Sequence, residues 1–316
     1  MVKTDLGCVS VIIPTYRRCD LLTRTIESVL GQSYSNIEVI VVDDNSRGDQ
    51  FRVRTQEIMS QYLDNDRVIY IQHESNINGS AARNTGVKHS VGKYLCFLDN
   101  DDLFTSEKVL QQVLTLDSFD EYGATCCSSL SKINDVVYKK SLLKKNESGN
   151  YVYELLTGSL MLGAGSTMMI RRSVFDKLTG FDESYSRHQD YEFLVRFFRQ
   201  HKMYLDENIL CYLTVDGPRN YPNACSFMKI KSKFINEFHN DLSNLERSKY
   251  NKILSSQWSE VVIAFVSEYK LITAVKLSLN KKIKFNLNFL SQIIIALIPG
   301  GKKMIFKIIC LIKKQN

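Results

Sequence analysis

Four short apolar runs, each followed by a polar or amphipathic stretch, occupy about the first hundred residues of the chain. The runs are VSVIIPTY (9–16), IEVIVVDD (37–44), RVIYIQH (67–73) and KYLCFLDNDD (93–102). The first intervening stretch repeats apolar residues at helical spacing, at Leu22, Ile26 and Val29. Because successive strands joined by crossover helices lie parallel, the alternation predicts an α/β fold, a mainly parallel sheet with helices on both faces.

Polar clusters close each of the predicted strands. They read PTYRR, DDNS, HESNING and DNDD in chain order. In a parallel sheet, ligands bind beyond the carboxyl ends of the strands, where successive loops converge. We therefore expect all four clusters at one rim of the sheet.

The cluster DNDD places Asp99, Asp101 and Asp102 within four positions. Closely spaced carboxylates suit a hard divalent cation that bridges protein oxygens to a substrate phosphate. The alternative is that the acids cap the following helix, SEKVLQQVLTL. Thr105 and Ser106 already stand at the expected cap positions, so the pattern favours the metal.

Two other clusters indicate a nucleotide. Asp44 could accept hydrogen bonds from a base or a sugar, although Asp is also an ordinary turn residue after any strand. Gly79 and Ser80 precede a helix whose first turns carry Arg83 and Asn84, and helix N-termini and arginines both suit phosphate oxygens. The chain has neither a Walker lysine after this loop nor G-x-G-x-x-G after its first strand, which disfavours P-loop and dinucleotide-binding proteins.

Together, VSVIIPTYRR, VVDDNS, NINGSAARNTG and FLDNDD, followed by GSTMMIRRSVFDKLTGFDE and HQDYEFLVRFF, resemble the family 2 glycosyltransferases of the GT-A fold. The resemblance covers about residues 8–200. It implies an inverting transfer of a sugar from a nucleotide-diphosphate donor, with Mn²⁺ or Mg²⁺ on the diphosphate. UDP is the family's common nucleotide, so a UDP-sugar is the expected donor.

The resemblance also implies roles for individual residues. Around the base and ribose it places Pro14, Thr15, Tyr16 and Asp44. Arg83 would contact the nucleotide or its phosphates, Asp99 would lie near the ribose and the metal, and Asp101 would be the principal metal ligand. The general base would be Asp190, which takes the proton from the acceptor hydroxyl.

Two stretches on the acceptor side leave alternatives open. The family carries a Glu-Asp pair where this chain has Gln189 and Asp190, and Asp190 alone reads equally as an acid that stabilises a helix N-terminus. Gly163, Gly165 and Ser166 leave room for an acceptor, or they form a tight packing corner.

The chain divides into three predicted parts. A catalytic domain spans residues 1–222, with a nucleotide-sugar part at about 8–104 and an acceptor part at about 105–222. A helical extension spans 223–284, and a basic amphipathic tail spans 285–316. In the extension, the residues at helical spacing that we expect in a core are Trp258, Val262, Phe265 and Tyr269.

The positive charge of the chain lies at its C-terminal end. Residues 270–316 hold ten lysines and no Asp or Glu, and subtracting them from the net +7 leaves −3 for residues 1–269. Few aromatic residues interleave the lysines, so nucleic acid is not the expected partner. The apolar runs are too short to span a bilayer, so the tail predicts contact with a membrane surface. The alternative is a helical hairpin packed on the domain with solvated lysines.

We therefore expect a glycosyltransferase that adds one sugar to a lipid-linked or surface-polysaccharide acceptor, such as a capsule or lipopolysaccharide precursor. Since the N-terminus resembles no secretory signal, the expected location is cytoplasmic, peripheral on the inner face of the cell membrane. Two other classes remain open. A silent sugar-nucleotide or glycan-binding protein would lose the base or the metal acids, and a sugar-1-phosphate nucleotidyltransferase would carry a Gly-rich basic loop after the first strand.

Overall fold

The structure of the chain is a computed structural model that describes residues 7–133, 136–144, 149–160, 165–214, 222–281, 283 and 287–297. The chain divides into two compact units. The first contains the described residues up to 150 together with 165–214, and the second contains 151–160 and the described residues from 222 onward.

The N-terminal half of the first unit is built as the sequence predicts. Its elements are β1 (Val9–Thr15), α1 (Leu22–Leu30), β2 (Ile37–Asp43), α2 (Gln50–Met59), β3 (Val68–Gln72), α3 (Gly79–Lys88) and β4 (Tyr94–Phe97). A short 3₁₀ turn at Ser60–Tyr62 follows α2. The four predicted strands and the helices between them are confirmed.

The remaining elements of the sheet come after β4. In chain order the next elements are β5 (Leu103–Phe104), α4 (Lys108–Ser118), β6 (Tyr122–Ile133), β7 (Val136–Ser141), α5 (Val152–Thr157), β8 (Met168–Arg171), α6 (Arg172–Lys177), α7 (Gln189–Phe198) and β9 (Lys202–Thr214). Helix α5 belongs to the second unit, and the others belong to the first.

The sheet runs β3-β2-β1-β4-β8-β6-β9-β5, with β7 paired to β6. Strands β3, β2, β1 and β4 are parallel, whereas β8 is antiparallel to both of its neighbours. The predicted α/β fold is thus confirmed, with a parallel half and a mixed half. The order of the parallel strands reverses beside β1, which makes the β1–β4 boundary a topological switch point.

Alternate residues of β1 pack against the helices on the two opposite faces of the sheet. Val9, Val11 and Ile13 lie in the core cluster that includes the buried face of α1. Ile12 faces the other way and contacts Gly86 of α3 so closely that a Cβ on Gly86 would lie 2.4 Å from Ile12 Cγ2. Helices therefore cover both faces of the parallel half, as predicted, and α3 lies directly on β1.

The second unit is helical. Its further helices are α8 (Ala224–Glu237), α9 (His239–Ser243), α10 (Arg247–Ser267), α11 (Leu271–Asn280) and α12 (Leu287–Leu297). Helix α10 buries Trp258, Val262 and Phe265 as expected. The expectation for Tyr269 was wrong, because α10 ends at Ser267 and Tyr269 follows with φ of 58°, which leaves its side chain 60% exposed.

Within the described ranges, no helix has both the length and the apolar character needed to cross a membrane. The predicted tail, residues 285–316, is described only at 287–297, and the rest of it lies outside the described residues.

Candidate functional site

The acidic cluster forms a tight turn at the switch point. The Asp102 N–H donates to the Asp99 carbonyl at 3.0 Å directly after β4. The Asn100 side chain donates to Thr15 Oγ1 at 2.8 Å and also to the Arg18 carbonyl. The loops after β1 and β4 are therefore joined, as the parallel sheet predicted.

Two of the three acids each contact an arginine from a neighbouring element. Arg18 Nη2 lies 2.8 Å from Asp101 Oδ2, and Arg83 Nη2 lies 2.7 Å from Asp99 Oδ1. The Asp99 side chain is 50% exposed and that of Asp101 is 13% exposed. Both carboxylates thus reach the surface of the site with their charge partly balanced.

Asp102 has a different environment from the other two acids. It is buried, and its carboxylate accepts hydrogen bonds from Ser166 Oγ at 2.5 Å and from the Thr214 N–H at 2.8 Å. Burial and the charges of Asp99 and Asp101 raise its pKa well above the usual value for Asp. Asp102 therefore connects the turn to two other segments of the first unit.

The acids do not cap the following helix. Helix α4 begins at Lys108 after Glu107, so the expectation that Thr105 and Ser106 stand at its cap positions was wrong. The Val109 N–H instead donates to Gln32 Oε1 at 3.0 Å. The described contacts therefore leave the capping alternative for the acidic cluster without support.

The segment before β8 is partly packed and partly open. Ser166 is buried, and its hydroxyl also accepts the Asp99 N–H at 3.2 Å. A Cβ on Gly165 would meet no atom of the described residues within 4 Å, so none of them fills the space beside Gly165. Ser166 therefore fits the alternative of a packing corner, and Gly165 fits the alternative of room for an acceptor. Gly163 lies outside the described residues.

The N-terminus of α3 is capped internally. The Asn78 side chain accepts the N–H groups of Ser80 and Ala81, at 2.9 and 3.0 Å. These two amides are therefore engaged. A phosphate near this helix would be held chiefly by the Arg83 side chain.

The Arg83 side chain is held by its own helix, and one of its N–H donors has no partner among the described residues. Its Nη1 donates to the Gly79 carbonyl at 3.1 Å, and Gly79 has no side chain that would crowd the guanidinium. Its Nε is buried and has no hydrogen-bond partner among the described residues. The guanidinium is therefore held in place beside Asp99 with unused donor capacity.

Asp190 lies in the first turn of α7. Its Oδ1 accepts the N–H of Tyr191 at 3.0 Å, and burial raises its pKa, while the positive charges of Arg83 and Arg187 lower it. The Arg83 guanidinium thus acts on both Asp99 and Asp190. Beside Asp190, Gln189 Oε1 is buried and accepts no hydrogen bond from the described part of the chain.

The Asp44 carboxylate is engaged within the protein. It is 2% exposed and contacts His73 Nδ1 at 2.7 Å, Asn76 Nδ2 at 2.7 Å and the Ile77 N–H at 2.9 Å. These contacts order the loop after β3. Asp44 therefore shapes the rim at which we expect the nucleotide.

Asp43, the residue directly before Asp44, is an acid whose role the sequence pattern did not indicate. It is fully buried, pairs with Arg52 Nε at 3.0 Å and accepts a hydrogen bond from the Tyr70 hydroxyl at 2.6 Å. The nearby arginine and tyrosine belong to α2 and β3, and only the fold brings them together. Asp43 therefore supports the end of β2.

The remaining predicted nucleotide residues follow β1. Pro14 and Tyr16 are half-buried, and Thr15 is buried under the Asn100 contact. Arg17 lies over the Tyr16 ring at 5.0 Å from its centroid. All three predicted residues thus lie in the strand end or loop that borders the acidic turn.

The donor set suits a hard divalent cation. Carboxylate oxygens from Asp99 and Asp101 match the preference of Mg²⁺ and Mn²⁺ for oxygen ligands. Among the described residues, neither acid belongs to a group of three or more potential ligands that meet at one point. The protein therefore offers one or two ligands, which suits a cation that takes its others from a phosphate and water.

Comparison with known proteins agrees with the resemblance seen in the sequence. The family model of Glycosyl transferase family 2 matches residues 10–179, more than half of the chain. An uncharacterized glycosyltransferase of Rickettsia prowazekii is 32% identical over 207 residues, which cover 64% of this chain and 62% of that protein. The chain thus spans less than two thirds of this relative's length.

Two further relatives have names that state a function. The amylovoran biosynthesis glycosyltransferase AmsB of Erwinia amylovora is 30% identical over 59% of this chain and 62% of its own length. The UDP-Glc:alpha-D-GlcNAc-diphosphoundecaprenol beta-1,3-glucosyltransferase WfaP of Escherichia coli is 37% identical over 33% of this chain and 39% of its own length.

Solved structures show the same fold at low sequence identity. S. aureus TarS 1-349, in complex with UDP-GlcNAc, has a TM-score of 0.60 and 18% identity, covering 87% of this chain and 89% of that one. The mannosyltransferase PcManGT from Pyrobaculum calidifontis, in complex with GDP-Man and Mn²⁺, has a TM-score of 0.56 and 16% identity, covering 94% and 83%. The predicted GT-A fold class is confirmed.

Proposed function

This chain belongs to glycosyl transferase family 2, and we propose that it transfers one sugar, with inversion, from a nucleotide-diphosphate donor to an acceptor hydroxyl. The observation that carries the proposal is the arrangement around Arg83. Its guanidinium pairs with Asp99 of the acidic turn at 2.7 Å, and its positive charge offsets part of the rise in the pKa of Asp190 that burial causes. The same arginine side chain therefore acts on Asp99, the acid proposed for donor binding, and on Asp190, the acid proposed for proton removal.

The donor in this proposal is a nucleotide-diphosphate sugar, with UDP as the nucleotide. The rim formed by Pro14, Thr15, Tyr16 and Asp44 receives the base and ribose, and the guanidinium of Arg83, held beside Asp99, contacts the phosphates. A delocalised guanidinium suits phosphate oxygens because it donates several hydrogen bonds in one plane. That TarS binds UDP-GlcNAc on the same fold supports this choice of donor.

Asp101, with Asp99, would hold a Mn²⁺ or Mg²⁺ ion. Such an ion supplies positive charge for the diphosphate leaving group. The protein's own part is to present two carboxylates at one turn, with Asp102 tied to Ser166 and Thr214 beneath them. The Mn²⁺ bound with GDP-Man in PcManGT supports the choice of metal.

Asp190 is the general base of the proposal. A single displacement needs one carboxylate that takes the proton from the acceptor hydroxyl as the new bond forms. The hydrogen bond from the Tyr191 N–H orients the Asp190 carboxylate, and its raised pKa makes it a stronger proton acceptor than an exposed Asp. The space beside Gly165, which no described residue fills, would be available to an acceptor.

The acceptor is proposed to be a lipid-linked or surface glycan. The names of AmsB and WfaP, which refer to amylovoran biosynthesis and to a diphosphoundecaprenol substrate, support this class. A lipid-linked acceptor would place the enzyme in the cytoplasm at the inner face of the membrane. The proposal divides the chain into a catalytic domain at 1–222, a helical extension at 223–284 and a membrane-associating tail at 285–316.

The proposal is tested by incubating the purified chain with a panel of nucleotide sugars in Mn²⁺, Mg²⁺ or EDTA and measuring the released nucleoside diphosphate. We expect metal-dependent release from one donor, and Asp101→Asn should lose it. Asp64→Asn, at an exposed acid outside the site, is the matched control and should retain it. Donor binding by calorimetry without any release, even with membrane lipid extract added, would indicate a binding protein instead.

A further inference from the structure

Helix α11 buries its small residues and exposes its large aliphatic ones. Ala274 and Ser278 are 3% and 6% exposed, whereas Ile272, Val275 and Leu279 are 75%, 58% and 71% exposed. The spacing of three and four residues places the last three on one side of the helix. We call these three residues the α11 stripe. A surface helix normally turns such a stripe toward the core, and an outward stripe of this kind marks a candidate interaction surface.

Helix α12 shows the same feature. Leu290, Ile294 and Leu297 are 43%, 60% and 39% exposed, again at spacings of four and three residues, while Phe289 and Ala296 are buried. The helix contains no charged residue. Both α11 and α12 pack against α10, so each is anchored to the second unit through one side and presents aliphatic residues on another.

The sequence of these two helices, and of the residues that follow them, carries charge of one sign. After Glu268 the chain contains ten lysines and no Asp or Glu. Lys276 lies within α11 and is exposed beside the α11 stripe. Lys270 pairs with Glu268 at 2.7 Å, and Lys281 lies 4.2 Å from the centroid of the Trp258 ring. An exposed aliphatic stripe on a helix that carries Lys276 and no acid matches the chemistry of an anionic lipid surface.

We propose that α11 and α12 lie on an anionic membrane surface, with the α11 stripe in the boundary between headgroups and acyl chains. The inference deepens the proposed membrane association and rests on it: α12 belongs to the proposed tail, and α11, which lies upstream of residue 285, adds a surface that the tail does not include. With ten and eleven residues, the two helices are about 15–17 Å long, roughly half of a hydrocarbon core of about 30 Å. They therefore lie along the surface.

Charge disfavours the two other occupants of this surface. In a symmetric dimer the same patch meets itself, so the lysines of both copies would face each other. Residues 298–316 of the chain itself carry five more lysines and no acid, so covering the stripe with them also brings like charges together. Anionic headgroups instead neutralise these lysines.

The test is co-sedimentation of the full chain with vesicles of phosphatidylcholine alone or mixed with phosphatidylglycerol. We expect binding to the anionic vesicles and little to the neutral ones. Changing Ile272 and Leu279 together to Ser should lower the partition coefficient about tenfold or more, because two aliphatic side chains no longer leave water. Lys276→Gln should lower it about fivefold on anionic vesicles only.

Leu63→Ser and Val91→Ser are matched controls, because these residues are 78% and 79% exposed and belong to the first unit. They should bind vesicles as the unmodified chain does. A second readout is Ile272→Trp, whose fluorescence emission should shift to shorter wavelength on anionic vesicles. The single native tryptophan, Trp258, is buried, and its contribution is measured on the unmodified chain with and without vesicles and subtracted.

Equal vesicle binding by the Ile272/Leu279 double variant and the unmodified chain, or an unshifted Ile272→Trp emission, would overturn the proposal. Concentration-dependent self-association that the double variant abolishes, without vesicle binding, would assign the stripe to a second copy instead. Nucleotide-sugar hydrolysis by the double variant in solution should be unchanged. Failure of this inference is therefore distinguishable from failure of the proposed function.

Discussion

Arg18 and Asp101 form an ion pair at the position proposed for the metal, with Nη2 2.8 Å from Oδ2. A guanidinium and a divalent cation at the same carboxylate repel each other, so we expect Arg18 to oppose the binding of a metal at Asp101. Arg18 comes from the loop after β1, which Asn100 ties to the acidic turn. We therefore expect Arg18 and the proposed metal to be alternative partners of Asp101.

Arg18→Ala should raise the affinity for Mn²⁺ in the absence of donor. The pair is partly exposed, so releasing Asp101 from it is worth up to about 1 kcal/mol, or roughly fivefold in the dissociation constant. Calorimetric titration with Mn²⁺ measures the change. Arg54→Ala removes a similar pair with Asp20 at 2.7 Å and is the control. An unchanged or weaker affinity in Arg18→Ala would contradict the competition.

Asp190→Asn should retain donor and metal binding and lose transfer. The amide keeps the shape of the carboxylate but cannot accept the acceptor's proton, so the rate should fall by about 10²–10⁴. Single-turnover transfer measures the loss, and calorimetry with the donor measures retained binding. Wild-type turnover in this variant would remove Asp190 from the role of base and leave the helix N-terminus as its function.

The pH profile should depend on Arg83. Burial raises the pKa of Asp190 above 3.8, so the unprotonated base is lost at a higher pH than for an exposed Asp, and kcat/KM falls as pH drops through that raised value. The Arg83 charge lowers this pKa. Arg83→Gln should therefore move the acidic limb to higher pH.

Arg83→Lys is the matched variant for that experiment, since it keeps the positive charge while changing the hydrogen-bond geometry. Its acidic limb should stay close to that of the unmodified chain even if its KM for the donor rises. Coincident pH profiles for the Gln variant and the unmodified chain would show that Arg83 does not control the protonation of Asp190.

Ser166→Ala should destabilise the first unit and weaken donor binding together. The change leaves the buried Asp102 Oδ2 without its hydroxyl donor and the Asp99 N–H without its acceptor, at a cost of about 1–3 kcal/mol. Urea unfolding measures the loss of stability, and the donor KM should rise because the acidic turn is less constrained. Ser60→Ala, at an exposed hydroxyl, should change neither value.

The parallel half of the sheet and its polar rim could be predicted because both depend on local order along the chain. Apolar runs such as 9–16 and 37–44 specify buried strands, and crossover helices oblige them to lie parallel. The polar residues after each run must then share one rim, as Thr15 and Asn100 do. The end of α10 was less predictable, and Tyr269 is exposed because the helix stops before it.

By itself, the sequence determined the fold class, the family and the acids at the end of β4, since these follow from periodicity and from motifs of adjacent residues. Only the tertiary structure decided which of the acids is buried. Asp102 differs from Asp101 because Ser166 and Thr214, distant in sequence, meet its carboxylate. The pairing of Arg18 with Asp101 and the outward α11 stripe were decided in the same way, because burial and charge pairing depend on neighbours that the chain brings together only when it folds.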